Sequence, residues 1–435
     1  MSNSPLRINV ERRGWNVAKL ASLLILLKDG THGTHERVDQ GIPLLSAKDI
    51  TAEGGISLND GASLISLDDH DEIHKNYSID LGDILLTVVG TLGRCAICSI
   101  EEKFSIQRSV AVLRVDRDVT NENYLYYFML SDWFQNQLHL RSNATAQAGV
   151  YLGELGDIEI AYPACHQQQQ KIAKILTTVD NLIEKTQSLI DKYTAIKQGM
   201  MADLFTRGID LSGTPDTNPN HGQLRPPVEQ APELYKQTEL GWVPKEWEVR
   251  TFAEIADYKN GSSFSTDDWK EEGLPIIRIQ NLNGSDEYNY YQGEVQENWH
   301  VLPGDLLFAW SGQKGVSFGA RTWGGAEGVL NQHIFKVYEN GKLLSRKFLY
   351  YLFKINVGRI ENNAHGFKDS FVHVTRSELT DVAIMLPPPV EQKIIEDRVT
   401  ALESSISIEE RSLDKYGKFK KGLMQDLLTG TVRVN

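Results

Sequence analysis

Two apolar patterns alternate along this chain, and each occurs twice. Short β-branched runs at Asp83–Val89, Val110–Val115, Leu306–Trp310 and His333–Val337 lie between glycine-containing turns and predict strands. Residues 121–136 and 346–357 carry apolar and aromatic side chains at helical spacing, so each block mixes sheet and helix. A proline boundary closes each block, Pro163 for the first and Pro387 to Pro389 for the second, and a long proline-free stretch follows. In residues 167–206, Ile172, Val179, Thr186, Tyr193 and Met200 fall seven apart, while Ile175, Leu182, Leu189 and Ile196 fill the second heptad position. Residues 390–428 repeat this through Ile395, Val399, Leu402, Ile406, Leu413, Tyr416, Leu423 and Leu427, with Glu409 and Lys420 interrupting. A helix of that length spans about 60 Å, too long for a surface helix on one core, so the pattern predicts a helix pair.

The two halves are copies. GWNVAKL from Gly14 resembles EWEVRTF from Glu246, PLLSAKDI from Pro43 matches PIIRIQNL from Pro275, and GDILLTVVG from Gly82 matches GDLLFAWSG from Gly304. YLYYFML from Tyr124 matches FLYYLFK from Phe348, and DKYTAIKQGMMADLFT from Asp191 matches DKYGKFKKGLMQDLLT from Asp414. The order of the matches is the same in both halves, which sets the domain organisation. The expected divisions are a first α+β domain over 1–162, a first helix over 163–207, a linker over 208–245, a second α+β domain over 246–388, and a second helix with tail over 389–435. The linker is rich in Pro, Gly, Asn and Asp and should be extended. It is long enough for the helices to run parallel or antiparallel, and a two-fold relation between the copies favours antiparallel.

Composition narrows the chemistry. With 41% apolar and 24% charged residues over 435 positions, the chain can bury more than one core. No run of 18 apolar residues occurs, the first ten residues lack the pattern of a signal peptide, and three cysteines suit a reducing compartment, so a cytoplasmic location is expected. The net charge of −13, concentrated in the two large domains, excludes binding to polyanions through the overall field. No GxxxxGK[ST] loop is present, and neither GTLGR at Gly90 nor GGAEG at Gly324 has the spacing of a dinucleotide turn. Cys95 and Cys98 form a CxxC, but GRCAICSI alternates like a strand and should send the thiols to opposite faces, and no second pair supplies further ligands. His32 and His35 could ligate a metal but sit in a turn that serves equally as a hydrogen-bonded loop. No metal site and no catalytic group is expected in this chain.

At this point the motifs resemble a known family, the specificity subunits of Type I restriction-modification systems. KDGTHGTHERVDQGIPLLSAKDI (Lys28 to Ile50) and KNGSSFSTDDWKEEGLPIIRIQNL (Lys259 to Leu282) look like two openings of that family's target recognition domains. GDILLTVVG and GDLLFAWSG resemble its central strand and loop, ELGWVPKEWEV (Glu239 to Val249) the start of its second domain, and KQGMMADLFTRGI and KKGLMQDLLTGTV its repeated spacer segments. The resemblance implies two pseudo-symmetric target recognition domains separated by a pair of long antiparallel coiled-coil helices. It also implies binding of double-stranded DNA, of two methyltransferase subunits and, through them, of motor-nuclease subunits. S-adenosylmethionine, ATP and magnesium would belong to those partners. A specificity subunit for a fused nuclease-methyltransferase of Type II, or an autonomous two-headed DNA-binding regulator, are the alternative readings.

Amide and guanidinium groups on loops can read adenine or guanine edges in the major groove. The candidates in the first copy are Lys28, Thr31, His32, Lys48, Thr91, Arg94, Gln107 and Arg108. Those in the second are Asn260, Gln280, Asn281, Ser311, Gln313, Lys314, Gln332, His333 and Lys368. Helix packing is assigned to Ile172, Val179, Leu182, Leu189, Tyr193 and Ile196 against Ile395, Leu402, Ile406, Leu413, Tyr416 and Leu423. Because the copies share a frame and differ in their loops, the expected target is bipartite and asymmetric, with a gap set by the helices.

Overall fold

The computed structural model describes residues 14–58, 61, 63–142, 149–363 and 371–434. The chain divides into two units, one of residues 1–188 with 409–435, the other of residues 189–408. In the first, an antiparallel sheet takes the strand order Leu24–Asp29, Val110–Val115, Ile84–Thr87, Cys95–Ile97. In the second, Ala256–Asn260, Ile334–Glu339, Leu306–Ala309 and Gly319–Thr322 repeat that order. The same β-topology arising twice is the internal duplication in physical form.

Each central sheet is buried on both faces, which is why its strands read as unbroken apolar runs. Ile84, Leu86, Cys95, Ala111 and Leu113 face a core shared with Tyr124, Leu125 and Phe128. Leu85, Ala96, Cys98, Val110 and Val112 face a second core with Leu45, Ile50 and Ile106. The alternation places the two thiols of the CxxC in different cores, and burial raises the pKa of Cys95. In the second unit, Leu306, Phe308, Phe335 and Val337 face one core and Leu307 and Ile334 the other. The helical segment expected over 121–136 is two helices, Glu122–Met129 and Asp132–Leu140, because Ser131 caps Phe134 N and restarts the chain. Its counterpart is one helix, Arg346–Asn363.

A short strand pair closes each copy: Trp15–Lys19 with Glu159–Pro163, and Glu248–Thr251 with Ala383–Leu386, both antiparallel. The long helices follow, His166–Leu204 and Pro389–Leu428. A buried glutamine near the start of each ties it to its own copy. Gln169 accepts from the Thr120 hydroxyl at 3.0 Å and the Asn121 amide at 2.8 Å and donates to Pro163 O at 2.8 Å. Gln392 donates to Leu343 O at 2.9 Å and Pro387 O at 2.8 Å. The far end of each helix docks on the other copy. Leu427 and Leu428 share a core with Ile172, Leu176 and Tyr124, while Leu204 and Phe205 share one with Ile395, Val399 and Trp247. Within either unit, therefore, the start of one helix lies beside the end of the other, and the pair is antiparallel.

The seam is rotated from the one expected. Ile172, Val179 and Thr186 are buried and Tyr193 half-buried as expected, but the second position is filled by Leu176, Ile183, Ile190 and Lys197, each one residue further along. Leu182 and Ile196, assigned to packing, are 41% and 43% exposed, and Leu189 is half-buried. One residue is 100° of helix, and the doublets Ile175-Leu176, Leu182-Ile183 and Leu189-Ile190 offer an apolar side chain on either setting. On the second helix, Ile395 and Ile406 are buried and Leu402, Leu413, Tyr416 and Leu423 half-buried.

The segment 208–245 is not an extended linker. Asp210 N donates to Gln223 O at 2.8 Å, and Tyr235–Thr238 pairs with Gly241–Pro244 as a hairpin. Glu391, in the first turn of the second helix, gathers the segment at one buried carboxylate. It accepts from Arg225 Nη1 at 2.5 Å, Ile209 N at 2.6 Å, Trp247 Nε1 at 2.9 Å and Arg225 Nη2 at 3.1 Å. The Arg225 and Glu391 side chains are 4% and 1% exposed, so removing one partner leaves a charge uncompensated in the interior. Arg225→Met should cost roughly 3–5 kcal/mol of unfolding free energy in chemical denaturation, and adding Glu391→Leu should not restore the native value, because Ile209 N and Trp247 Nε1 then lose their buried acceptor.

Candidate nucleic-acid interface

In both copies the candidate loops hang on one glycine. Gly30 follows the strand Leu24–Asp29, and a Cβ there would lie 2.1 Å from Ile106 O. Gly261 follows Ala256–Asn260, and its Cβ would lie 2.2 Å from Asn331 O. Only glycine permits this approach of two backbones. The residue after it forms a parallel bridge in each copy, Thr31 with Gln107 and Ser262 with Asn331. Thr31 N donates to Ile106 O at 2.9 Å and Arg108 N to Thr31 O at 3.0 Å; Ser262 N donates to Leu330 O at 2.7 Å.

A second loop joins the first through the next backbone bond. Gln107 N donates to Leu45 O at 2.8 Å, and Asn331 N to Ile277 O at 3.0 Å. There the chain makes one tight turn in each copy, closed by Asp49 accepting from Ser46 N at 2.7 Å and by Asn281 accepting from Arg278 N at 2.9 Å. Asn281, a candidate reader, is thus structural: it is buried and also donates to Ser285 O at 3.0 Å and Glu287 O at 2.9 Å. Lys48 and Gln280 occupy the same place on this turn and are both exposed.

In the first copy the structure brings Thr31, Gln107, Arg108 and Lys48 together around this junction. Arg94 joins them by donating from Nη1 to Ile50 O at 3.1 Å, which commits part of its guanidinium to the turn. Thr91 is exposed between Gly90 and Gly93, both at positive φ. Thr31 Oγ1 lies 2.8 Å from His35 Nε2, and His35 Nδ1 lies 2.9 Å from Asp69, whose carboxyl is held below its ordinary pKa first by that bond. His32 lies 2.7 Å from a different carboxylate, Asp29, so the two histidines do not converge. Among the described residues no group of three metal-ligating side chains occurs. Lys28 Nζ sits 4.4 Å above the Tyr77 ring, whose hydroxyl is pushed up to about 12 by burial.

In the second copy Asn260, Gln313, Lys314, Gln332 and His333 are exposed. Ser311 is 8% exposed, paired with His373 on a two-stranded ribbon, and is not presented to solvent. Lys314 is 3.8 Å from Glu361, and Lys368 lies outside the described residues. Three groups escaped the sequence reading. Trp310 lies 5.2 Å from the His333 ring and 4.8 Å from His373, and donates to Gln332 O at 3.2 Å. Arg278 stacks 4.8 Å from Trp269 and bonds Asn289, and burial lowers its pKa. Trp310 at the end of an apolar run reads as core, and His373 reaches it from a remote strand, so neither carries a local signal. Arg278 could have been found as the guanidinium two residues before the candidate Gln280 in PIIRIQNL.

Gly30→Ala and Gly261→Ala should each overpack a backbone junction and destabilise the unit that carries it by about 1–3 kcal/mol or more, whereas Gly324→Ala, in open space, should be near neutral. Thermal unfolding of the three variants checks this.

The described helices include none long and apolar enough to cross a membrane. Residues 13–192 and 244–415 match the model of a family described as Type I restriction modification DNA specificity domain. The chain is similar to the Type I restriction enzyme MjaVIII specificity subunit of Methanocaldococcus jannaschii, with 24% identity over 83% of this chain and 81% of that one. It is 26% identical to the Type I restriction enzyme EcoBI specificity subunit of Escherichia coli over 41% of this chain and 37% of that one. The fold matches the crystal structure of a Type-I restriction-modification system S subunit from M. genitalium with a TM-score of 0.56 at 16% identity, covering 95% of this chain and 96% of that one.

Proposed function

Because this chain belongs to the Type I restriction modification DNA specificity family, we propose that each copy reads one half of a split duplex target and that the halves differ in sequence. One observation carries the asymmetry. The two copies superimpose loop on loop in their backbone bonding, yet the side chains at matched places differ: Ser46 and Arg278, Lys48 and Gln280, Gln107 and Asn331, Arg108 and Gln332. Amide and guanidinium groups favour different base edges, each good pair supplying about 1–3 kcal/mol of discrimination. One frame carrying two sets of readers addresses two unlike half-sites.

The chain supplies the address and the chemistry lies in its partners. Two methyltransferase subunits, and motor-nuclease subunits through them, would carry S-adenosylmethionine, ATP and magnesium. Two features support this dependence. A net charge of −13 gives little neutralisation of phosphates, so partners must contribute those contacts. Leu182 and Ile196, 41% and 43% exposed on one long helix, leave an apolar stripe of the kind a partner helix covers. The helix pair would then set the gap, since a 39-residue helix caps the span at about 60 Å, roughly 17 base pairs.

Exchange of residues 246–388 for the second domain of another family member, in the assembled methyltransferase, tests the reading. Sequencing of methylated DNA should show one half-site changed and the other intact. Alteration of both half-sites, or of neither, refutes independent reading by the two copies.

A further inference from the structure

Thr31, which bridges to Gln107 where two loops of the first copy meet, stands at the head of a chain of polar side chains. Its Oγ1 lies 2.8 Å from His35 Nε2, and His35 Nδ1 lies 2.9 Å from Asp69 Oδ1. The other oxygen of Asp69 accepts from the Ser66 hydroxyl at 2.8 Å, and Ser66 Oγ in turn accepts from Asp69 N at 3.1 Å. The His35 side chain is 13% exposed and is bonded through both ring nitrogens, so its orientation is fixed. His32 bonds Asp29 instead and takes no part.

The acidic end decides where the protons lie. An ionised carboxylate only accepts, and the bond from His35 is the first cause holding the Asp69 carboxyl below its ordinary pKa. The proton between the two therefore belongs to His35 Nδ1, which leaves Nε2 of the neutral ring bare. The hydrogen in the 2.8 Å contact at Nε2 is then that of the Thr31 hydroxyl. A hydroxyl has one proton and two lone pairs, and one of these pairs accepts from Gly33 N at 3.1 Å. Thr31 is left with a single lone pair and nothing to donate.

That remainder selects its partner. Phosphate oxygens, purine N7, guanine O6 and thymine O4 are all acceptors, so in the major groove only adenine N6 and cytosine N4 can donate to it. We propose that His35, oriented by Asp69, is a positioning residue that makes Thr31 an acceptor-only reader of an exocyclic amino group in the half-site of the first copy. This rests on the reading of the chain as a two-headed DNA reader. The second copy has no such device. Ser262 takes the matched place, and its hydroxyl has no partner among the described residues, so it is free to donate or to accept.

The test uses the complete methyltransferase at a pH of about 8, where an imidazole is neutral. Its targets are duplexes varied at each position of the first half-site, and the methylated products are sequenced. The unaltered complex should favour adenine or cytosine over guanine and thymine at one position by at least about tenfold. Thr31→Ser should keep that preference, and Thr31→Val should abolish it at that position alone. With His35→Phe the hydroxyl proton is free to donate to keto oxygens, and the preference should fall at least about fivefold at the same position. Asp69→Asn should do the same while keeping the shape of the loop. Its oxygen stays with the Ser66 hydroxyl, its amide donates to Nδ1, and the ring proton moves to Nε2, which then donates to Thr31. Every other position of both half-sites should hold within about twofold. A Thr31→Val complex with every preference unchanged overturns the proposal. So does a native preference in both His35→Phe and Asp69→Asn, whether or not total methylation falls, since a residue that merely props the loop would lower methylation of all targets alike. If the unaltered complex shows no base preference in either half-site, the two-headed reading itself is wrong, a result distinct from a preference that ignores Thr31 and His35.

Discussion

Each copy is completed by a helix it does not begin. The first long helix leaves the first domain pinned by Gln169 and ends in the core beneath the second, where Gly208 lies against Trp247. The second leaves the second domain pinned by Gln392 and ends at Gly430, against Trp15. A Cβ at either glycine would come within 2.4 Å or 2.8 Å of the tryptophan ring, and both have positive φ, so each helix stops where its glycine allows the chain to turn on the ring. Neither domain's core is closed without the other's helix. That reciprocal closure ties the fold of each copy to the helix that begins in the other.

Much of this was legible in the sequence. The duplicated strands announce themselves because sheets buried on both faces leave apolar runs, and the repeat fixes their order. The helix pair was also plain, but its face was not. Apolar doublets at 175–176, 182–183 and 189–190 fit either setting, and only the position of Lys197 in place of Ile196 separates them. A lysine in a seam looks like an error to a reading based on hydrophobicity, and here Lys197 is half-buried 3.8 Å from Glu403 while Ile196 is exposed. The same bias hid Gln169 within a run of four glutamines, although it is fully buried.

The segment 208–245 misled for a different reason. Its composition is that of a linker, and what folds it is a carboxylate 166 residues away from Arg225, which no local pattern can reveal. On the candidate loops, the matched backbone turns were legible and the duty of each side chain was not. Asn281 and Ser311 look like readers but are consumed by turn and ribbon, while Arg278 stacks on Trp269 and Trp310 lies between two histidine rings. A tight turn needs one side chain to close it, and sequence alone does not say which.

The account stands most directly on a base-resolved methylation map of host DNA with and without this chain. It predicts a motif of two unlike halves separated by a fixed unread gap, present with the chain and absent without it. A continuous or palindromic motif, or methylation unchanged when the chain is removed, would contradict it.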